Sequence, residues 1–566
     1  MGDLLSSVGK LRNIGRAADP KFDRRLVVLF LGSLVAGLSE LLSIGSVLPL
    51  LLLANGGRSA AVLNISPLIG GDIRTWAMLF AALVAMTAAL RMWLAQFSQQ
   101  QVLEVGSEVS IAVHARVLEQ PYSYHVQHHS SALIAAIGKV DQLVFGVGWP
   151  LVQAIAAAIV GAAIMTLLIG LQPLATLVAC AAVGSFYILI SHMLTRRLRT
   201  HGEVASTAYQ QQVRLLQDSV GAIRDLLVER RQSYFVEAFA KASRAIVAAR
   251  RGTDMLGNAP RFLIEAVGMI VFAGFTLVLA NRAGGLGSAI PILAVFALAV
   301  VRLLPLAHQL FRGWANVTAE RAVIDEVAAL LALPKAPRLR GRDLVFEREI
   351  ALRGVAFGYD EGAAIVDGLD LVIGKGEWIG LTGPTGGGKS TIGDLLLGLL
   401  TPRWGALILD GEELTAADLD GWQAQVAPVS QAVFVADMSI ARNIVFADDG
   451  PTDEVRLGEA VRIARLGEWI GSLPGGLDSE VGEGGRRISG GQRQRIGIAR
   501  ALYKDASFLL LDEATNALDE DTEKTFLAAL RASRPTCSVV IISHREAALA
   551  ACDRIYRIEG GRAAAR

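Results

Sequence analysis

The chain has 566 residues, of which 52% are hydrophobic and 19% charged, and its formal net charge is +1. So long a chain exceeds one ordinary core, so two or more domains are expected; the near balance of charge lacks the basic surplus of a nucleic-acid binder, and no nucleic-acid partner is expected. Cys180, Cys537 and Cys552 stand far apart without metal-ligand spacing, which supports neither a disulfide framework nor a zinc site and reads as three small buried hydrophobes.

The mean hydropathy of +0.45 is abnormal for a soluble protein, and the excess falls before residue 312. The first 25 residues are charged throughout and contain no short apolar core with a cleavage site, so they do not read as a signal peptide. Leu4, Leu5, Val8 and Leu11 recur at helical spacing beside Lys10, Arg12 and Arg16. That pattern predicts an amphipathic helix on the cytoplasmic membrane face.

Six apolar segments follow, at about 26–54, 75–96, 143–171, 175–194, 262–281 and 289–311. Each is near or above the roughly 20 residues that a helix needs to cross the hydrocarbon core. The connections 55–74 and 282–288 are short, whereas 99–142 and 195–261 are long, helical in pattern and rich in charge. Arg12, Arg16, Lys21, Arg24 and Arg25 precede the first segment, and Arg196, Arg197, Arg199, Arg230, Arg231, Lys241, Arg244, Arg250 and Arg251 follow the fourth. The positive-inside rule then puts both termini in the cytoplasm. The long connections become helical extensions whose turning points, at 124–134 and 215–223, are candidates for contact with whatever follows residue 330.

Ionisable residues within these segments are costly in hydrocarbon and need a reason. Glu40 lies roughly 21 Å into the first segment at 1.5 Å per residue, and Arg302 at comparable depth in the sixth. Arg91 and Glu265 stand nearer a boundary, where long side chains can snorkel. Arg302, Arg91 and Glu40 are candidate cavity residues, the arginines for an anionic head group and Glu40 for a polar one; a structural ion pair is the alternative. Trp76, Trp93, Trp149 and Trp314 lie near segment ends, as interface anchors do.

Pro334 and Pro337 break the helical periodicity, and Arg338, Arg340 and Arg342 follow, so 331–346 reads as a linker. Beyond it strand and helix patterns alternate to the end of the chain, which suits an α/β nucleotide-binding domain at 347–566 after a membrane domain at 1–330. Between the apolar run Trp378-Ile379-Gly380-Leu381 and a helical pattern stands Gly383-Pro384-Thr385-Gly386-Gly387-Gly388-Lys389-Ser390, followed by Thr391. A strand that breaks into glycines and re-enters as a helix aims backbone N–H groups and the helix dipole at one point, which suits a polyphosphate. Lys389 would reach the β/γ-phosphates and Ser390 would ligate Mg²⁺. The strand Phe508-Leu509-Leu510-Leu511 ends in Asp512, a second Mg²⁺ ligand, and Glu513, which can polarise an attacking water. Ile488-Ser489-Gly490-Gly491-Gln492 precedes another helix and makes a second phosphate site. If the two sites serve different subunits, two chains sandwich two ATP molecules.

With these motifs in sequence, the carboxy-terminal half resembles the ATPase domain of the ABC superfamily, and the whole chain resembles an exporter half-transporter. The resemblance implies six membrane helices fused to an α/β P-loop ATPase domain, the type IV exporter architecture, with ATP and Mg²⁺ as cofactors. It implies that Ile488–Gln492 is the signature that completes the partner's site, that Tyr359 stacks on adenine and that Gln431 links Mg²⁺ and water to the membrane domain. Asp519 would communicate across the dimer, His544 would contact the γ-phosphate, and Glu483 would touch the coupling helices. Ile488, Gly387 and Asn516 depart from the commoner leucine and serines without removing a catalytic group. Both sites of a homodimer would be competent. Trp378, Trp404 and Trp422 are left as packing residues.

Gly37–Leu50, Gly221–Leu227 and Val481–Gly485 are similar to bacterial exporters that flip polyprenyl-diphosphate-linked oligosaccharides. This implies an inner-membrane flippase in contact with membrane lipid, carrying a lipid-linked or other amphipathic substrate, with Arg302 meeting the diphosphate. A lipid or lipopolysaccharide-precursor flippase and a peptide exporter share every ATPase motif. An ATP-gated channel would lack the need for an intact Glu513.

Overall fold

The computed structural model describes residues 2–54, 73–280, 285–335, 344–359, 364–446 and 450–565. Most of the expected short connection 55–74, the first residues of 282–288 and the basic part of the linker, with Arg338, Arg340 and Arg342, lie outside the described residues. The chain forms two compact units, one of Met1–Gln120 and His128–Lys335, the other of Pro121–Gln127 and Ala336–Arg566.

The first unit is helical. In chain order it comprises α1 (Gly2–Ala18), α2 (Phe22–Gly45), α3 (Val47–Ala54) and α4 (Ile73–Leu118), then, past the helix α5 (Tyr122–Gln127) of the second unit, α6 (Ser130–Gln142) and α7 (Trp149–Leu171). The series ends with α8 (Pro173–Gly221), α9 (Ile223–Glu229), α10 (Gln232–Ala280), α11 (Gly285–Ala319) and α12 (Arg321–Leu331). Six stretches are long and apolar enough to cross a membrane: Phe22–Leu53, Ile73–Leu118, Ser130–Leu171, Thr176–Gly221, Gln232–Leu277 and Ile292–Ala319. Each expected apolar segment lies largely within one of them. Several run far past the apolar part because the charged sequence beyond it keeps good helix formers: α8 starts on Pro173 at its first turn and continues without a further proline for 49 residues, about 73 Å.

The second reversal begins within the expected 215–223: α8 ends at Gly221 and the chain turns at Ala222, then turns again beyond that range at Arg230, whose φ of 53° ends α9. Between α6 and α7 a π-helical turn, Leu143–Gly148, inserts an extra residue. Such bulges re-aim the helix that follows.

Helices α2, α7 and α11 enclose a core of Ala36, Ile44, Ala157, Ile164, Val295 and Ala299. Small residues allow close backbone approach, as is common between membrane helices. At Gly202 a Cβ would lie 1.6 Å from the Ala319 carbonyl oxygen, so α8 and α11 meet there only because a side chain is missing. Apolar side chains such as Met78, Leu174, Ile188 and Ile270 point outward, the reverse of a water-soluble surface and suited to lipid. α1 is helical as expected, with Ile14 buried among the helices and Leu5 exposed; Lys10 forms an ion pair with Asp325 of α12.

The second unit begins with β1 (Glu349–Phe357), β2 (Val366–Gly374), β3 (Trp378–Thr382), α13 (Lys389–Leu396), β4 (Trp404–Leu409) and β5 (Glu412–Glu413). It continues with α14 (Leu419–Gln425), β6 (Val426–Val429), α15 (Ile440–Val445), α16 (Glu454–Ile463), α17 (Gly467–Gly471) and α18 (Gly490–Tyr503). It closes with β7 (Phe508–Asp512), α19 (Glu520–Ser533), β8 (Ser538–Ile542), α20 (Glu546–Leu549), β9 (Arg554–Glu559) and β10 (Arg562–Ala565). One sheet is antiparallel, in the order β2-β1-β4-β5, and the other runs β10-β9-β3-β8-β7-β6. In the latter β3, β6, β7, β8 and β9 are parallel, and their near-continuous apolar runs are buried, as expected of parallel strands covered on both faces.

Phe346, at the end of the expected linker, is buried in this unit's core beside Trp422. Trp378 and Trp422 are packing residues, the latter donating its indole N–H to the Leu396 carbonyl at 2.8 Å. Trp404 is not one: it is 75% exposed at the start of β4. The cysteines differ as well, since Cys537 is buried, Cys552 half-buried and Cys180 exposed.

Candidate functional site

Parallel strands β3 and β7 flank β8, so the loops leaving their carboxyl ends meet on one edge of the sheet. That is the ligand-binding edge of an open α/β sheet. The loop after β3 holds Gly383 at φ 143°, where a Cβ would lie 2.1 Å from the Ile558 carbonyl oxygen, and Gly388 at φ 93° as the cap of α13. Only glycine fits the first position, and the bend it permits turns the following N–H groups toward the loop's centre. Lys389 donates through Nζ to the carbonyls of Gly383 and Pro384, both at 2.9 Å, which holds its ammonium at the start of the loop. Thr391 is buried behind it in α13.

Burial raises the Asp512 carboxyl, opposed by a hydrogen bond from the Ser390 hydroxyl and by the Lys389 charge, while Glu513 pushes it further up. Asp394, one helix turn on, is pushed up to about 6 by burial and by the Asp512 carboxylate. The next residue, Glu513, takes φ 49°, outside the range a glutamate ordinarily adopts. Gln431 and Asn516 donate to its Oε2 at 2.7 and 2.9 Å, and His544 Nε2 lies 3.8 Å from Oε1. Gln431 and His544, from distant parts of the sequence, and Asn516, three residues on, thus surround one carboxylate. Asn516 is a positioning residue that sequence reading noted only as a departure from serine. Its spacing of three from Glu513 was the available signal.

Tyr359 packs edge-on against Phe357, with ring centroids 5.2 Å apart. Gln127 donates to its carbonyl at 3.3 Å, and burial, Asp394 and Tyr359 raise the Tyr122 phenol. The segment Pro121–Gln127, which lies between the membrane-length helices α4 and α6, therefore belongs to the nucleotide-binding unit. It overlaps the expected turning point 124–134, whose later part, from His128, stays with the membrane helices.

Ser489 caps α18 in a reciprocal box with Gln492, and Gly490 has open space where a Cβ would stand. Asp519 caps α19 by accepting from Thr522. Ile488 packs against the core, and Gly491 lies under the Ala517 carbonyl. Among the described residues, no hydrogen bond or ion pair joins Ile488–Gln492 to Gly383–Thr391. Glu483 is paired with Arg486.

In the membrane unit Glu40 is 2% exposed. Its Oε1 lies 3.2 Å from Arg302 Nε and its Oε2 3.6 Å from Arg91 Nη1. The three expected cavity residues therefore meet one another: Glu40 is the counter-ion of two guanidiniums and not a contact for a polar ligand group. Arg91, expected to snorkel, also has that carboxylate beside it while its side chain stays 44% exposed. Elsewhere α7, α8, α10 and α11 line a half-open cavity of about 570 Å³ walled almost wholly by apolar side chains, among them Met165, Cys180, Tyr187, Phe272, Phe296 and Phe311. Neither Arg302 nor Arg91 lines it.

The ATPase edge and the six apolar helices in one chain define a membrane transporter driven by ATP. The family profile described as ABC transporter matches residues 366–516, and the chain is an exporter-type half-transporter of that superfamily, an ATP hydrolase coupled to transport. It is 28% identical over 509 residues to the ATP-dependent lipid A-core flippase of Burkholderia thailandensis, covering 87% of this chain and 83% of that one. It is also 38% identical over 245 residues to the mycobactin import ATP-binding/permease protein IrtB of Mycobacterium bovis, covering 43% of this chain and 42% of the relative. Its fold is similar to the structure of a bacterial Atm1-family ABC exporter with ATP bound, with a TM-score of 0.82 at 22% identity over 96% of this chain and 95% of that one.

Proposed function

We propose that two copies of this chain form a flippase that uses ATP to carry a phosphate-bearing lipid out of the cytoplasmic leaflet of a bacterial inner membrane, with both termini in the cytoplasm. The observation that carries this reading is the apolar cavity between α7, α8, α10 and α11, sized like sites that bury a small organic ligand. A peptide exporter would need polar groups there to satisfy a peptide backbone.

Each nucleotide would lie on Gly383–Thr391 of one subunit and against Ile488–Gln492 of its partner. The hydroxyl of Ser390, the carboxylate of Asp512 and the amide oxygen of Gln431 are hard oxygen donors, a set that fits Mg²⁺ completed by phosphates and water. When bound, the ion would neutralise charge developing on the β- and γ-phosphates. Lys389 would bind those phosphates, Glu513 would take a proton from the attacking water, His544 would hold the γ-phosphate and Asp519 would order the loop between subunits. Pro121–Gln127 ties α4 and α6 to the nucleotide unit through the chain itself. The exposed Leu227 and Val228 of α9 suit docking on the partner's unit. Closure around ATP would then rock the membrane helices, and hydrolysis would release them.

Two substrate chemistries share an anionic phosphate and a long tail: a polyprenyl-diphosphate-linked oligosaccharide, which the short motifs resemble, and a lipid A precursor, whose flippases are the relatives matched over most of the chain. ATP turnover of the purified chain in phosphatidylcholine proteoliposomes, with each lipid added in turn and Glu513→Gln as the inactive control, distinguishes them. The substrate is expected to raise turnover several-fold and to move between leaflets. Should neither lipid raise turnover or move, the flippase reading falls.

A further inference from the structure

The loops that leave β7 and β8 carry three groups of the nucleotide edge, Glu513 and Asn516 on the first and His544 on the second. The two strands stay in register up to Asp512 and Ile542, and their last backbone bond runs from the Glu513 N–H to the Ile542 carbonyl at 2.9 Å. Beyond that rung the sheet no longer sets how far apart the loops stand. Among the described residues, the hydrogen bonds that join 514–518 to 543–545 come from one side chain, Arg545.

Arg545 Nη1 lies 3.1 Å from the Thr515 carbonyl oxygen, 3.0 Å from that of Leu518 and 3.1 Å from Glu523 Oε2. The two carbonyls are the ends of a tight turn, closed by the Leu518 N–H on the Thr515 carbonyl at 2.9 Å. Asn516 stands inside that turn and donates to Glu513 Oε2. On the other loop the Arg545 N–H donates to the hydroxyl of the buried Ser543 at 3.0 Å, and the Ser543 N–H reaches the Leu381 carbonyl of β3 at 3.3 Å. His544 lies between Ser543 and Arg545. One guanidinium therefore links the backbone beside His544 to the turn that aims Asn516.

A buried ion pair accounts for part of this. Glu523 has no exposed surface, and a carboxylate there needs a cation. That requirement explains a charge at 545 but not the contacts with the turn. Thr515 and Leu518 are buried, and main-chain carbonyls shut off from water need donors; the planar fork of an arginine can serve them and the carboxylate together. Gln494 of α18 holds the same turn from another side, accepting from the Ala517 N–H at 3.0 Å.

We propose that Arg545 is a positioning residue for ATP hydrolysis: its guanidinium sets the spacing between the Asn516 turn and His544, and through Asn516 it orients the Glu513 carboxylate. This rests on the reading of Glu513 as the base that takes a proton from water.

The test is Mg-ATP turnover of the full chain in phosphatidylcholine proteoliposomes, with kcat and KM resolved and folding followed by thermal unfolding. Arg545→Ala would strand the Glu523 charge in the core, so the probe is Arg545→Met with Glu523→Gln, which removes both charges. It is expected to lower kcat about 10- to 100-fold, the scale on which a small misplacement of a reacting group acts. KM for ATP is expected to hold, because the phosphate loop is untouched. Arg545→Lys keeps Glu523 paired and offers the turn a donor, so it is expected to lose less, again at constant KM. Made in Asn516→Ala, the double substitution is expected to add little to what that variant has already lost. Wild-type kcat in the double variant leaves a structural ion pair only and overturns the proposal; should that variant not fold, wild-type kcat in Arg545→Lys does the same. A raised KM with kcat intact also overturns it, as does a full second loss in Asn516→Ala. Each of these leaves Glu513 as the base. If Glu513→Gln hydrolyses ATP at the wild-type rate, that reading falls and the role of Arg545 with it.

Discussion

The nucleotide edge and the Glu40 cluster are both charged sites that the fold must hold against a cost, and they are assembled in opposite ways. Around Gly383 and Glu513 each functional group sits next to the strand or helix end that aims it, and the sheet brings those ends together. Around Glu40 the partners come from α2, α4 and α11, and no local element orders them; only helix packing at the same depth does so. A locally aimed site announces itself as a motif. A site made by packing is three isolated letters in apolar runs.

The largest expected effect lies in the first kind. Glu513→Gln is expected to lower ATP turnover about 10²–10⁴-fold, the usual worth of a general base, and to trap a dimer in Mg-ATP, read by phosphate release and by mass in solution. A variant that hydrolyses at the wild-type rate would show that the carboxylate held by Gln431 and Asn516 is not the base.

Next come two glycines, one in each unit. Gly383→Ala and Gly202→Ala each force a Cβ against a carbonyl oxygen, and each is expected to cost about 1–3 kcal/mol by overpacking. Nucleotide binding should fail in the first and persist in the second, which thermal unfolding with and without ATP would reveal. Loss of binding in both would mean that strain in the membrane unit reaches the nucleotide edge.

Glu40→Ala should destabilise the membrane unit by about 2 kcal/mol, less than a fully buried pair because both guanidiniums are partly exposed. Arg91→Ala should cost less, since Arg302 remains to pair Glu40. Melting temperatures in detergent give the order. A reversed order would assign the carboxylate to Arg91 alone.

The smallest effect is a pH dependence. Burial raises the Glu320 carboxyl, against a hydrogen bond from Gln142 and the charges of Arg250 and Lys139. A carboxyl raised in the folded state contributes stability at pH below its unfolded value and loses it as pH rises through the folded value. Glu320→Gln should therefore gain on the wild type from about pH 4.5 upward, the unperturbed range of a glutamate. A difference in melting temperature that stays constant from pH 4 to 8 would show that the carboxyl does not titrate differently on folding.

Much was legible beforehand for the reason this comparison gives. The phosphate loop, the strand ending in Asp512 and Glu513, and the six apolar segments are contiguous patterns whose physics is local. Asn516, three residues from Glu513, was visible but had no assigned task until Gln431 and Asn516 were seen to share one carboxylate oxygen. Trp404 was misread because burial is not a local property: the same residue type packs at 422 and stands exposed at 404.

By itself, then, the order of residues determined that this chain spans a membrane and carries a P-loop ATPase, because apolar length and backbone geometry at glycines depend on neighbours in the chain. Tertiary structure alone decided that Arg91 and Arg302 share Glu40, that Pro121–Gln127 joins the nucleotide unit, and that α7, α8, α10 and α11 line one apolar cavity. Those are meetings of side chains far apart in sequence, and their distances depend on how long helices pack, which no single stretch of the chain encodes.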